Sequence, residues 1–191
     1  MSKHFCFDIE TCSTESSAII LSAAIVWFDP ADTEVTYEQL VERSLYIKFN
    51  AKEQADKGRT VSKDTLEWWA KQSDIVRKLC FIPSKNDVSV LDGIKQIRDY
   101  VNEHGDLTKS LFWARGSLDQ VVTDSLFKTF GEEPITRYNM WMDIRTAIRL
   151  LKETSTIGGY CDVPGFDAGK LMKHCPIDDI AFDVLQVVRG I

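Results

Sequence analysis

The sequence predicts a single α/β domain in which a mixed sheet is flanked by helices, and three observations lead there. Its 191 residues suit one core of ordinary size. Apolar residues make up 44% and charged residues 27%, usage that excludes a disordered chain, a collagen-like repeat and a coiled coil. Runs of β-like composition come first, and helix-spaced apolar positions dominate the rest.

Residues 4–9 and 19–28 are rich in β-branched and aromatic side chains, with a polar turn between them, and read as the first two strands. Residues 44–49, S-L-Y-I-K-F, alternate and read as a third. A polar stretch over 50–58 leads to 61–79, where Trp68, Trp69, Ile75, Val76 and Leu79 take the spacing of two short helices. Val90, Leu91, Ile94, Ile97 and Val101 follow the i, i+3, i+4, i+7 rule and predict a helix ending near Gly105. S-L-F-W-A at 110–114 is a short apolar strand, and Val121, Val122, Leu126, Phe127 and Phe130 form the core face of the helix after it. Ile144, Ile148 and Leu151 mark a further helix. Residues 153–176, with four glycines, read as a long loop before a closing helix at 177–188.

The longest apolar stretch, 18–28, is broken by Ser22 and falls well below the ~20 residues of a membrane span. The first four residues show no secretory pattern. Five scattered cysteines without a C-x-x-C pair argue against a disulfide framework or a structural zinc, and make a cytoplasmic location the expectation. A net charge of −6 does not hold a polyanion through bulk electrostatics, so any nucleic acid needs cations recruited locally.

F-D-I-E-T at 7–11 is the sharpest signal. In a strand Asp8 and Glu10 share one face, and like charges that close call for a positive partner. A hard divalent cation, Mg²⁺ or Mn²⁺, is the natural one; a strand fraying into a solvated acidic turn is the other reading. Asp119 closes R-G-S-L-D where strand passes to helix, a place that an ordinary helix-start acid also occupies. Asp183 sits among Ile180, Ala181, Phe182, Val184 and Leu185, either buried or on a polar face. G-F-D-A-G-K at 165–170 is one residue short of a phosphate-binding loop and lacks its Ser/Thr.

Taken in order, F-D-I-E-T, G-S-L-D before a helix and a late helical aspartate resemble the DEDD (DnaQ-like) superfamily of 3′-5′ exonucleases. The resemblance is nearest to the phage exonuclease A group and its exoribonuclease relatives. T-L-E-W-W-A-K-Q-S at 65–73, F-W-A-R-G at 112–116 and D-I-R-T at 143–146 carry it across residues 4–188. It implies an RNase H-like mixed five-stranded sheet and two Mg²⁺ or Mn²⁺ ions held by Asp8, Glu10, Asp119 and Asp183. The implied partner is the 3′ end of a single-stranded nucleic acid, DNA before RNA. A homodimer is implied as well, and the host cytoplasm if the protein is phage-encoded.

Two positions depart from the pattern. Leu118 stands where the family has an aromatic. The family's general-base histidine, five residues before the last aspartate, falls on Asp178, and the tyrosine of the variant group falls on Asp179. Asp178 as a weaker base, His174 swinging in from the preceding loop, and a non-catalytic nucleic-acid-binding relative all remain open, as does metal activation of the water without a strong base.

Residues 48–79 carry +3 and the remainder −9, a basic island with aromatics that suits single-strand binding. Trp68 and Trp69 lie ~100° apart on a helix, which sends Trp69 to the core beside Leu66 and offers Trp68 or Gln72 to a nucleotide. Burial of both tryptophans is the competing reading. Thr11 and Arg115 complete the expected substrate contacts. Arg145 either reaches a phosphate or pairs with Asp143.

Overall fold

The computed structural model describes residues 3–152, 156 and 158–191. Strand β1 (His4–Thr11) lies at the centre of a five-stranded sheet. On one side β2 (Ile20–Phe28) and β3 (Leu45–Lys48) continue antiparallel; on the other, β4 (Phe112–Ala114) and β5 (Trp141–Asp143) run parallel, in the order β3-β2-β1-β4-β5. A parallel neighbour for β1 requires a crossover, which includes the long helix Val90–His104.

Eight helices accompany the sheet among the described residues. They are α1 (Tyr37–Glu42), α2 (Ala51–Asp56), α3 (Lys63–Ala70), α4 (Asp74–Val76), α5 (Val90–His104), α6 (Leu118–Thr129), α7 (Ile144–Leu151) and α8 (Pro176–Arg189). A π-helical turn, Arg77–Phe81, extends α4. Alternation along β1 sorts its side chains between two layers. Phe5, Phe7 and Ile9 pack with Ile94 and Ile97 of α5 and Leu126 and Phe127 of α6. Cys6 packs on the opposite face with Val184 and Leu185 of α8, and Asp8 and Glu10 continue that parity toward α8. A bulge follows at once: Glu10 faces Ser22 but Thr11 faces Ile20, so the ladder changes register beside the two acids.

Two helices lie where the sequence shows no apolar period. Thr36 and Gln39 form a reciprocal capping box that starts α1. The expected polar stretch over 50–58 holds α2, capped by Asn50. Its buried Gln54 behaves like a strand neighbour, accepting from the Ile20 amide at 2.9 Å and donating to the Ile20 carbonyl at 2.7 Å. The long loop expected over 153–176 includes residues 153–155 and 157, which lie outside the described ones, and contains a 3₁₀ turn at Ala168–Lys170.

A third cluster of Cys12, Trp69, Val76 and Cys80 seals the end of the sheet below the bulge. Trp69 is wholly buried and donates its indole N–H to the Thr11 carbonyl at 2.9 Å. Trp69→Phe keeps most of the ring but strands that buried acceptor, at about 1–3 kcal/mol. The expected fall in unfolding midpoint is ~2–4 °C per kcal/mol for a domain of this size. An unchanged midpoint would show that the bond contributes nothing.

The basic island is only partly available to a ligand. Arg59 is 6% exposed and binds the Ala18 and Val122 carbonyls and the Ser125 and Thr129 hydroxyls. Lys48 is tied to the Lys78 and Ile82 carbonyls. Both stabilise the fold and leave the island's electrostatic role to its exposed lysines. No helix among the described residues is long and apolar enough to cross a membrane.

Candidate active site

The acids converge at the carboxyl ends of the parallel strands β1 and β4, where open α/β sheets commonly bind ligands. Asp8 and Glu10 come from β1. Asp119, in the first turn of α6, is buried and accepts the Ile9 amide at 3.1 Å, so it is stitched between them. That amide is free to do so because the β1–β4 ladder ends at Cys6 and Trp113. From α8, packed across the same face, come Asp179 and Asp183, one turn apart.

Electrostatics register the crowding. Burial, then Asp119 and Glu10, push the Asp8 carboxyl well above the usual range. Burial followed by Asp179 does the same to Glu10. Desolvation raises Asp119 and Asp179 to about 7 each, against help for Asp119 from the Ile9 amide. Asp8 is half-buried, and its Oδ2 is shut from solvent with no hydrogen-bond partner. Unpartnered, mutually repelling oxygens are the donor set a hard divalent cation satisfies, and the residues fit such an ion.

Among the described residues, the group tight enough to hold a cation is Glu10, His174 and Asp179, with one ligating atom of each within 4.8 Å of the others. His174 reaches it from an unusual backbone. Its φ of 63° is left-handed, the only non-glycine case among the described residues, and costs of order 1–2 kcal/mol. The surroundings hold it there. Its amide donates to the Asp179 carboxylate, its carbonyl accepts the Cys80 thiol at 3.6 Å, and its ring meets Trp68 edge-on at 4.6 Å. Burial lowers its pKa, which favours the neutral imidazole.

Asp183 does lie close to this face, but it is committed to another partner. Arg115 grips it bidentately, with Nε 2.9 Å from Oδ1 and Nη2 bonded to the same carboxylate. The remaining Arg115 donors go to Gly158, Gly159 and Gln186, and the guanidinium lies over the Tyr160 ring. Arg115, expected to meet substrate, is thus consumed in ordering the 158–160 loop against α8. Asp178 also faces elsewhere: its carboxylate accepts the Met172 amide at 2.7 Å and the Tyr37 hydroxyl.

Beside Glu10 opens a cavity of about 430 Å³, lined by Thr11, Ser62, Thr65 and Trp68. Trp68 is 37% exposed at its rim, while Trp69 behind it is core. Gln72 does not line this cavity and bonds the Trp68 carbonyl. The one signal that could have located His174 is its spacing, five residues before Asp179.

Residues 3–175 match the family described as the 3′-5′ exoribonuclease Rv2179c-like domain. The chain is 35% identical to the exodeoxyribonuclease of Enterobacteria phage T4 over 204 residues, 96% of this chain and 86% of the relative. Exonuclease I from Methylocaldum szegediense superposes with a TM-score of 0.60 at 12% identity, over 98% of this chain and 40% of its own. Cell-death related nuclease 4 gives a TM-score of 0.61 at 14% identity, over 98% and 62%. This chain thus spans less than two thirds of either solved chain, and at those identities the likeness shows the fold, an RNase H-like exonuclease sheet. The chain belongs to the 3′-5′ exoribonuclease Rv2179c-like family and is a hydrolytic 3′-5′ exonuclease of the DEDD fold.

Proposed function

We propose that the protein removes nucleotides from the 3′ ends of single-stranded DNA, using Asp8, Glu10, Asp119 and Asp179 to hold two divalent cations and His174 as general base. The observation that carries this reading is the Glu10–His174–Asp179 cluster. With Asp179 as the last aspartate, the histidine five residues before it is His174, and of the two departures only Leu118 is left. Asp183 then serves as the counter-charge of Arg115, and Asp178 as a brace for the Met172–Tyr37 side of the loop. A non-catalytic binding relative, the alternative if Asp178 stands at the base position, is correspondingly disfavoured.

Mg²⁺ or Mn²⁺, when bound, would supply Lewis-acid stabilisation of the attacking and leaving oxygens. The chain's own residues do the rest. His174, whose neutral form burial favours, takes the proton from the attacking water on a ring nitrogen. The cavity beside Glu10 receives the terminal nucleoside, with Trp68 stacking on its base and Thr11 and Thr65 along its wall. DNA is preferred because the 35% identical relative is an exodeoxyribonuclease, and that relative's phage origin supports a host cytoplasm as the site of action. RNA is the second reading, favoured by the description of the family. The site is built within one chain, so the reading holds for a monomer and for a homodimer alike.

The test is Mg²⁺- or Mn²⁺-dependent shortening of 5′-labelled DNA and RNA oligonucleotides of one sequence. Faster release of mononucleotides from DNA is expected, and faster release from RNA would reverse the preference. Trp68→Ala is expected to raise KM by about tenfold or more, as loss of one stacking platform costs ~1–3 kcal/mol. An unchanged KM would remove Trp68 from the substrate.

A further inference from the structure

Arg115 is fully engaged by Asp183, Gln186 and the loop carbonyls, which turns attention to a second arginine near the cleft. Arg145, in the first turn of α7, makes no side-chain hydrogen bond or ion pair among the described residues, and it is exposed. Its charge nonetheless reaches the cleft, acting on Asp119 and Asp183. The backbone around it is tightly held. Asp143 accepts the amides of Gly116, Arg145 and Thr146, which fastens the end of β4 to the start of α7. Gly116 has φ of 97°, and the place where a Cβ would stand is 3.6 Å from the Arg145 guanidinium. On the other side, a Cβ on Gly159 would come within 2.9 Å of the Arg145 Cα. The guanidinium therefore rests on bare backbone at the edge of a groove of about 380 Å³, lined with Ser117, Gln120 and Trp141.

This groove includes the Gly116–Ser117 approach to α6, whereas the Trp68 cavity adjoins Glu10 and Thr11 on β1. The two openings flank the carboxylates, and a strand passing between them has its last nucleoside in one and its 5′ continuation in the other. We propose that Arg145 binds the phosphodiester immediately 5′ to the scissile link, so that the groove is the exit path of the strand. This rests on the exonuclease reading and adds the polarity of the substrate and the residue that holds its second phosphate. A planar fork with several donors suits a phosphodiester anion, and an exposed guanidinium that makes no side-chain hydrogen bond among the described residues has those donors to offer.

The experiment compares Arg145→Gln and Arg145→Lys with wild type on two substrates: a dinucleoside monophosphate, NpN, which has only the scissile link, and a trinucleotide, NpNpN, which has the next one. Arg145→Gln is expected to lower kcat/KM on NpNpN by about tenfold or more beyond its effect on NpN, the size of a charge-assisted bond, and Arg145→Lys to recover part of it. Equal losses on both substrates, or none on either, would overturn the placement. Binding gives a separate readout in a His174→Ala background. There Arg145→Gln should weaken a labelled single-stranded DNA 12-mer and flatten the slope of log K against log[salt] by ~0.7, as for one lost phosphate contact. An unchanged slope also overturns it. Wild type that binds with this Arg145-dependent slope yet trims neither substrate would sink the exonuclease reading and leave the phosphate contact standing.

Discussion

Asp8→Asn is expected to abolish metal-dependent trimming while making the metal-free protein more stable. Asp8 sits against Glu10 and Asp119 with one oxygen buried and unpartnered. Removing the central carboxylate should forfeit several kcal/mol of cation-supplied stabilisation, about 10³-fold in rate. The same change relieves repulsion, and the new amide can donate to the neighbouring acids. A gain of about 1–2 kcal/mol is expected, in line with other relieved functional strain. Turnover near the wild-type rate, or a lower unfolding midpoint at pH 8 in chelator, would refute the argument.

The sign of the pH dependence follows from the same crowding. Asp8, Glu10, Asp119, Asp179 and Asp183 all have folded pKa values raised above their unfolded ones, Asp119 and Asp179 to about 7. Between the unfolded value of about 4 and those folded values, the native state binds more protons than the unfolded chain, so stability falls as pH rises. His174 and His4, with lowered pKa values, and the Cys175 thiol, lowered to about 7, run the other way against the five carboxylates. Metal-free protein should therefore melt higher at pH 5 than at pH 8, and saturating Mn²⁺ should shrink the difference by binding the native state. A chelated sample more stable at pH 8 would contradict the assignment of the cluster.

His174→Ala carries the other large effect, a fall in kcat of about 10²–10⁴-fold, the usual contribution of a positioned general base. Asp178→Asn should cost less than tenfold, because its carboxylate serves the Met172 amide and the Tyr37 hydroxyl. At saturating metal, which keeps the carboxylates ionised, burial of the imidazole should shift the wild-type acid limb of kcat/KM to lower pH than a free histidine would give. Reversal of the two losses, with Asp178→Asn the more damaging, would return the base to position 178.

The elements with a clear apolar pattern were legible in the sequence: β1, β2, β3, β4, α5, α6, α7 and α8 all lie where alternation or helical spacing puts them, although Val121, expected on the core face of α6, is exposed, as are Leu91 and Leu151. What escaped was short or polar. Helix α1 is six residues held by a capping box, a pattern present in Thr36 and Gln39 but not in hydrophobicity. Helix α2 buries a glutamine through paired hydrogen bonds, which no apolar periodicity can report. Strand β5 is as short as β4 but, unlike that wholly buried strand, has an exposed Met142 at its centre and no apolar run to mark it.

At the site, the Asp8–Glu10 pair and Asp119 could be read from motif and strand parity, and the structure brings them together. The two helical aspartates could not be told apart that way, since residues four apart share a helix face and both point toward β1. Apolar neighbours made Asp183 look like the buried ligand. It is buried, but its charge is answered by Arg115, a partner 68 residues away that sequence spacing does not reveal.

Locking Asp183 to Arg115 also sets the valence of the cleft. It withdraws one anion and, on the proposed reading, leaves four carboxylates, Asp8, Glu10, Asp119 and Asp179, whose formal charge two dications would cancel. A loaded cleft of zero net charge neither expels the incoming phosphodiester nor traps the departing nucleotide. A fifth unanswered carboxylate would tip that balance toward expulsion.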